Sequence, residues 1–345
     1  MRVLVTGGAG YIGGVMVETL LAAGHEVVVL DNLCHGYRDN VPPEARWVQG
    51  DVADPAALAA AFAAPVDGVI HMAAHIEVGE SMRQPRKYFD NNLARPWALL
   101  EAMERAGTRR FVLSSTAAVY GTPERTPILE SAPTHPLNPY GWSKLMLEQT
   151  LFWHACHRGL RYAALRYFNA AGATAQHGEQ HQPESHLIPL VLEAAAGERE
   201  AIQIFGADYD TPDGTCIRDY IHVRDLAAAH LIALAALETP AEPPADLAAA
   251  AYNLGNGAGF SVRQVIAAAE QVCGRHIPVR EAPRRPGDPA RLVAAAEKMR
   301  AAGWTPQFPD LEPIVASAWR YKQTHRAAAP FGAPAAAPSG PPGGG

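Results

Sequence analysis

Val3-Leu4-Val5-Thr6-Gly7-Gly8-Ala9-Gly10-Tyr11-Ile12-Gly13 opens the chain as a short apolar run that breaks into a glycine loop. Gly8, Gly10 and Gly13 satisfy G-x-G-x-x-G, while Gly7, Gly10 and Gly13 satisfy the related G-x-x-G-x-x-G spacing. Glycines let a chain turn tightly and bring backbone N–H groups against a pyrophosphate at a helix N-terminus. Steric need alone also puts glycine at such turns, so the context has to carry the reading. Asp31 ends the next apolar run, 18 residues after Gly13. An acid there accepts hydrogen bonds from the adenosine ribose hydroxyls and repels a 2′-phosphate, which selects NAD over NADP.

Outward from this loop, strand and helix signals alternate. Residues 3–6, 27–30, 47–49, 69–72, 111–115 and 162–167 read as short buried strands. Residues 11–23 read as a helix stopped at Gly24, and Asp54-Pro55 opens another as N-cap and first-turn proline. Repeated βα units predict an α/β fold: a Rossmann-type, doubly wound parallel sheet covered by helices, with a smaller C-terminal substrate-binding domain. The expected division is 1–170 for NAD, 171–325 for substrate with segments returning to the first, and 326–345 as a disordered Ala/Pro/Gly tail without periodicity. There is no internal repeat.

Composition narrows the class of function. Of 345 residues, 48% are hydrophobic, enough for a sizeable core and against disorder over the whole length. The 35 acidic against 29 basic residues leave a net charge of −6, which disfavours nucleic acid and anionic membranes. Cys34, Cys156, Cys216 and Cys273 lie far apart and form no CxxC pair, so neither a disulfide framework nor a zinc cluster is expected and a reducing cytoplasm fits. The N-terminus runs straight into the glycine loop without room for a signal peptide, and no apolar run reaches the ~20 residues of a membrane span. The chain reads as soluble.

The second chemical signal is Tyr140-Gly141-Trp142-Ser143-Lys144. Positions i and i+4 share a helix face, so the phenol and the ammonium can enter one pocket. Bringing a phenol from ~10 to ~7 takes about 4 kcal/mol. A nearby cation, joined by a positively charged nicotinamide, is the expected source. Thr116, just past the 111–115 strand, is placed to hydrogen-bond the same substrate hydroxyl. Catalysis therefore falls to Thr116, Tyr140 and Lys144.

These residues carry a resemblance. From Met1 to about Trp319 the chain resembles an extended short-chain dehydrogenase/reductase, most closely the UDP-glucose 4-epimerases. The similar stretches include the glycine loop, Leu30-Asp31-Asn32-Leu33-Cys34, Gly50-Asp51-Val52, Asp90-Asn91-Asn92, Arg218-Asp219-Tyr220-Ile221-His222-Val223 and Arg284-Arg285-Pro286-Gly287-Asp288. The glycine loop and YxxxK are superfamily-wide; the last two stretches and the DNLC segment are more specific. The resemblance implies a redox epimerisation at the sugar C4 through a transient 4-keto sugar, with NAD kept bound and regenerated. It implies cofactor contacts from Gly7, Gly10, Tyr11, Ile12, Gly13, Asp31, Asn32, Asp51, Val52, Ala73, Ala74, Asn91, Tyr140, Lys144 and Phe168. It implies UDP-sugar contacts from Thr116, Asn169, Leu187, Phe205, Arg218, Arg285 and Asp288. Two arginines suit a diphosphate by charge and fork geometry. It also implies a homodimer, through helices expected over 92–107 and 140–157.

The chain departs from the family at three places. His75-Ile76-Glu77 stands where many relatives carry a lysine toward the cofactor phosphates. Ser185-His186-Leu187 replaces an Asn-Asn or Asn-His. Leu292 stands where some relatives have a tyrosine lining the sugar pocket, and its smaller side chain leaves room for an N-acetyl group. His177, His181 and His186, beside Glu179 and Gln180, read as a solvated segment, and no metal site is expected. Sugar-nucleotide dehydratases place Asp-Glu directly after the catalytic threonine, and decarboxylases of this group place a Glu where Ala118 stands. Here Thr116 is followed by Ala117-Ala118, which leaves epimerisation of UDP-glucose and UDP-galactose as the main expectation, and another UDP-sugar as the alternative. A non-catalytic NAD sensor would typically lose the tyrosine or the lysine, and both are kept.

Overall fold

A computed structural model describes residues 1–181, 183–285 and 288–326; the expected tail from residue 327 onward lies outside them. The strands that start the chain are β1 (Arg2–Thr6), β2 (Glu26–Asp31), β3 (Arg46–Gln49), β4 (Gly68–His71), β5 (Arg110–Thr116) and β6 (Arg161–Tyr167). After these come β7 (Asn169–Ala171), β8 (Ile202–Phe205), β9 (Ile217–Arg218), β10 (Tyr220–His222), β11 (Ala251–Leu254), β12 (Phe260–Ser261), β13 (Val279–Ala282) and β14 (Arg291–Leu292). Seven of them form one sheet in the order β11-β6-β5-β4-β1-β2-β3. Every pairing in it is parallel.

Strand periodicity explains why the sheet is buried on both faces. In β1, Val3 and Val5 point into one layer with Val15, Met16, Val17 and Leu20 of the helix Tyr11–Ala22. Leu4 points the other way, into a layer with Leu99, Met103, Leu147 and Leu151 from the helices Pro96–Ala106 and Pro139–Arg158. A parallel sheet covered by helices on both faces reads as continuous apolar strands, and this one does.

The strand order reverses at β1, with β2 on one side and β4 on the other. In such sheets the crevice beyond the carboxyl ends at the reversal is where ligands bind. The remaining strands make small sheets, β10-β7, β13-β8 and β12-β9-β14. They pack with the helices Leu187–Ala195, Val262–Cys273 and Leu311–Arg326 around a separate apolar cluster. The helix Val223–Ala236 and strand β11 return from this later half to the main sheet.

Two of the expected helices differ in detail. The stretch expected as one helix over 92–107 is a π-turn, Asp90–Ala94, followed by Pro96–Ala106. Pro96 has no N–H to continue the ladder, and Arg95 N–H bonds Asp90 carbonyl instead. The helix expected over 140–157 runs Pro139–Arg158, with the Asn138 side chain accepting from Gly141 N–H and Gly159 in the left-handed region at its end.

Candidate active site

The glycine loop is shaped by its own backbone. Gly7 has φ +74°, and a Cβ there would stand 2.6 Å from Ala73 N. A Cβ on Gly13 would lie 2.0 Å from the Gly7 carbonyl oxygen. Both close approaches exclude any side chain. Gly10 is the N-cap of Tyr11–Ala22, and no side chain caps the helix. Its first N–H groups and positive dipole end therefore face the crevice without a partner from a cap, which fits a pyrophosphate.

Around this cradle stand the expected cofactor residues. Asp31 ends β2 and accepts from Ala9 N–H at 3.0 Å and Leu33 N–H at 2.8 Å, one on each oxygen. Each oxygen keeps a lone pair for a ribose hydroxyl. Asn32 donates to Asp51 at 3.0 Å, and Arg95 reaches the same carboxylate at 2.5 Å. Arg95 is a neighbour of Asp51 that the sequence gave no sign of. Tyr11 donates to Gly172 carbonyl at 2.5 Å, Ile12 packs against the layer holding Ala9, and Val52 is buried in the layer on the other face of the sheet. Ala73 and Ala74 follow β4 after Met72, and Asn91 donates to Asn92 at 3.0 Å. The cradle, the uncapped helix end and the acid fit NAD.

Tyr140 lies in the first turn of Pro139–Arg158, where Gly141 allows the helix to press against Ala118 carbonyl. The Thr116 hydroxyl at the end of β5 accepts from Ala118 N–H at 3.1 Å, and its proximity to the Tyr140 phenol lowers the phenol's pKa. Lys144 is one turn further on, fully buried, with its ammonium donating to Ser114 carbonyl at 2.7 Å. Thr116 at the end of β5 and Tyr140 and Lys144 on the adjoining helix thus lie in neighbouring positions.

Their electrostatics differ from expectation. Burial pushes the Tyr140 phenol up to about 12; the Thr116 hydroxyl pulls it down and the Glu77 charge pulls it up. Burial also brings the Lys144 ammonium down to about 7, opposed by the charge of Glu148. The expected acidification to ~7 is therefore not a property of these side chains alone. That leaves the shift to the cationic nicotinamide already named as part of its expected source.

The residues expected to meet the substrate lie mostly in the later half of the chain. Arg218, in β9, pairs with Asp288. The Arg285 guanidinium lies 4.0 Å over the Phe205 ring. Asn169, at the start of β7, donates its side chain to Asp219 carbonyl at 2.7 Å, and Leu187 opens the helix Leu187–Ala195. Leu292 sits level with Arg218 in the β14–β9 register and packs against the cluster containing Ala117, Val119 and Phe168. Pro286 and Gly287 lie outside the described residues.

The departures resolve as follows. No cation comes from 75–77: burial, with Lys87 and His35, holds His75 down to about 4, hence neutral near pH 7. Its Nδ1 meets His35 Nε2 at 3.2 Å. Glu77 instead accepts from Ser185 Oγ at 3.0 Å, tying the two halves together. The segment expected to be solvated is so in part: Gln180, Pro183 and Ser185 are exposed, while the histidines have protein partners. His177 is buried between Glu18 (3.1 Å) and Asn40 carbonyl (2.8 Å), while His181 and His186 gather with Glu179 and Glu184. Carboxylates facing imidazoles replace the water that a bare loop would need.

The roles of three supporting residues escaped the sequence, although Asn92 and Asp219 stand in stretches quoted above. Glu148, one turn past Lys144, holds Arg166 at 2.6 Å with both side chains 1% exposed. Asn92 bonds His75 carbonyl at 2.9 Å and Ser143 at 3.1 Å, joining the post-β4 loop to the catalytic helix. Asp219 accepts from the backbone N–H of Asn256, Gly257 and Ala294 at 2.7–3.0 Å. Only the spacing of Glu148 from Lys144 gave a local signal.

Comparison with known proteins fits this geometry. Residues 3–255 match the model of the NAD dependent epimerase/dehydratase family. The UDP-glucose 4-epimerase of Streptomyces lividans is 50% identical over 327 residues, 94% of this chain and 97% of that protein. The chain belongs to the UDP-glucose 4-epimerase family. Among solved members, one UDP-glucose 4-epimerase superposes with a TM-score of 0.90 at 45% identity, covering 94% of this chain and 98% of that one. The Stenotrophomonas maltophila enzyme, solved with NAD and formylated UDP-arabinopyranose, gives a TM-score of 0.89 at 40% identity over 95% of this chain and all of that one.

Proposed function

We propose that the chain inverts C4 of UDP-glucose and UDP-galactose through a 4-keto sugar. The observation that carries this is the Thr116–Tyr140–Lys144 group beside the glycine cradle, with Ala117 and Ala118 following the threonine and adding no further acid or base. Bound NAD supplies the acceptor, then the donor, of the hydride at C4. Tyr140 removes the proton of the 4-hydroxyl, and Lys144 and Thr116 hold the phenol oxygen in place. After the keto sugar turns its other face, Tyr140 returns the proton. Arg218 and Arg285 are the charges suited to hold the diphosphate while the sugar turns.

Incubation with UDP-galactose, followed by proton NMR, should show UDP-glucose accumulating to a fixed ratio without added cofactor. A protein that bound NAD but left UDP-galactose unchanged would be the sensor instead.

Three finer readings belong to the same proposal. Leu292, beside Arg218 and close to Ala117, leaves space for an acetamido group, so UDP-N-acetylglucosamine should also turn over. Leu292→Tyr should abolish that reaction and spare UDP-glucose, because a clash discriminates more sharply than a lost contact; equal losses on both substrates would remove Leu292 from the sugar site. Trp97 and Trp153, 47% and 59% exposed on Pro96–Ala106 and Pro139–Arg158, support a homodimer across these helices. Light scattering should give twice the chain mass. Four free cysteines fit a reducing cytoplasm.

A further inference from the structure

The loop between β7 and the helix Leu187–Ala195 gathers a donor set that no step above uses. Glu179, His181, Glu184 and His186 follow the pattern Glu-x-His-x-x-Glu-x-His, and each turns one ligand-type atom inward. These four atoms lie within 4.8 Å of one another. Glu179 Oε1 meets His181 Nδ1 at 2.7 Å and His186 Nδ1 at 3.1 Å, and Glu184 Oε1 meets His186 Nδ1 at 2.9 Å. Both carboxylate side chains are only 9% exposed, and the ring centroids are 5.5 Å apart.

We propose that Glu179, His181, Glu184 and His186 form a four-coordinate structural site for a divalent transition metal of the zinc type. Two carboxylates and two imidazoles crowd together, the carboxylates covered and the His181 and His186 side chains 22% and 40% exposed. A dication balances both carboxylates at once and takes one ring nitrogen from each imidazole. Zinc binds imidazole nitrogen at ~2.0–2.1 Å and carboxylate oxygen at ~2.0–2.2 Å, so tetrahedral ligand atoms stand roughly 3.4 Å apart. The short pairs need only open slightly while the widest closes. Half the donors are nitrogen, which disfavours calcium and magnesium. All four positions come from protein side chains, as in structural rather than catalytic zinc sites.

The site would act on the cleft through the backbone. Ser185 lies between the ligands Glu184 and His186, and its hydroxyl reaches Glu77 across the cleft at 3.0 Å. Leu187, on the substrate wall, follows directly. A bound ion would therefore fix the strap joining the cofactor half to the substrate half.

The test uses the NAD-loaded full chain, stripped with a chelator and dialysed against zinc or cobalt(II). Elemental analysis should return about one ion per chain, and cobalt(II) should give the intense visible absorption of a tetrahedral site. His181→Gln and Glu184→Gln should each weaken zinc binding at least tenfold while keeping their NAD content, which reports an intact fold. His276→Ala, at an exposed histidine beside Glu270, should leave binding unchanged. Absence of stoichiometric metal in the wild type at a hundredfold molar excess would overturn the proposal. So would binding that survives His181→Gln with Glu184→Gln. Should the variants fail to fold, a weak octahedral cobalt spectrum in the wild type would overturn it on its own.

Discussion

The two walls of the cleft are built on different principles. The cofactor wall is made of backbone: Gly7 and Gly13 leave no room for a Cβ, and an uncapped helix end faces the crevice. The substrate wall is made of side chains paired with one another, Arg218 with Asp288 and Arg285 over Phe205. Backbone geometry cannot be exchanged for another partner, whereas the partly exposed Arg218–Asp288 pair can exchange its carboxylate for a diphosphate. The first wall suits a group that stays; the second suits one that enters, turns and leaves. Between them, Tyr140 stands on a helix locked from behind by the buried Glu148–Arg166 pair.

Substitutions can break or sharpen this contrast. The largest effect on rate belongs to the group between the walls. Tyr140→Phe keeps the ring but removes the proton acceptor, so kcat should fall ~10²–10⁴-fold. NAD content, read from the absorbance of the perchloric-acid supernatant, should stay unchanged. The largest effect on stability belongs to the support behind it. Glu148→Gln leaves the Arg166 cation buried without its counter-ion, a loss of about 3–5 kcal/mol measurable by urea unfolding. Gly13→Ala forces a methyl against the Gly7 carbonyl, so it should cost roughly 1–3 kcal/mol and strip NAD on gel filtration. The smallest stability effect falls on the exchangeable wall. Asp288→Asn should change unfolding free energy by less than about 1 kcal/mol and show itself mainly in KM for the sugar nucleotide. A loss as large as that of Glu148→Gln would erase the distinction between the two walls.

The cofactor wall could be read from the sequence because its parts are close together in the chain. The glycine loop, Asp31 and Tyr140/Lys144 each fall within one strand–turn–helix unit. The substrate wall could be named by resemblance, but its pairings could not. Arg218 meets Asp288 only after two separate strands are brought into register. Asp219 was legible as part of a motif; its work as a staple depends on Asn256, Gly257 and Ala294, which nothing local connects to it. Strand β11 was missed because its four residues include Asn253, a polar side chain in a buried run. That side chain is satisfied by Tyr120 at 2.7 Å and Ile128 carbonyl at 2.8 Å, contacts that arise only in the folded chain. The partners of His177, His181 and His186 were not legible for the same reason, since solvent and a facing carboxylate satisfy an imidazole equally well.

The position of β11 has a consequence for how the protein is made. Strand β6 lies inside the finished sheet, yet the strand that covers its outer side is some eighty residues downstream. At synthesis rates of ~5–20 residues per second, β6 emerges with its outer hydrogen-bonding edge bare for roughly five to fifteen seconds before β11 exists. During that interval the nascent sheet offers an apolar strand, Arg161–Tyr167, as a template for any other chain in reach. Pausing of translation before residue 251 would lengthen this exposure, while pausing after residue 254 would not, so codon choice across that stretch bears on the yield of folded protein.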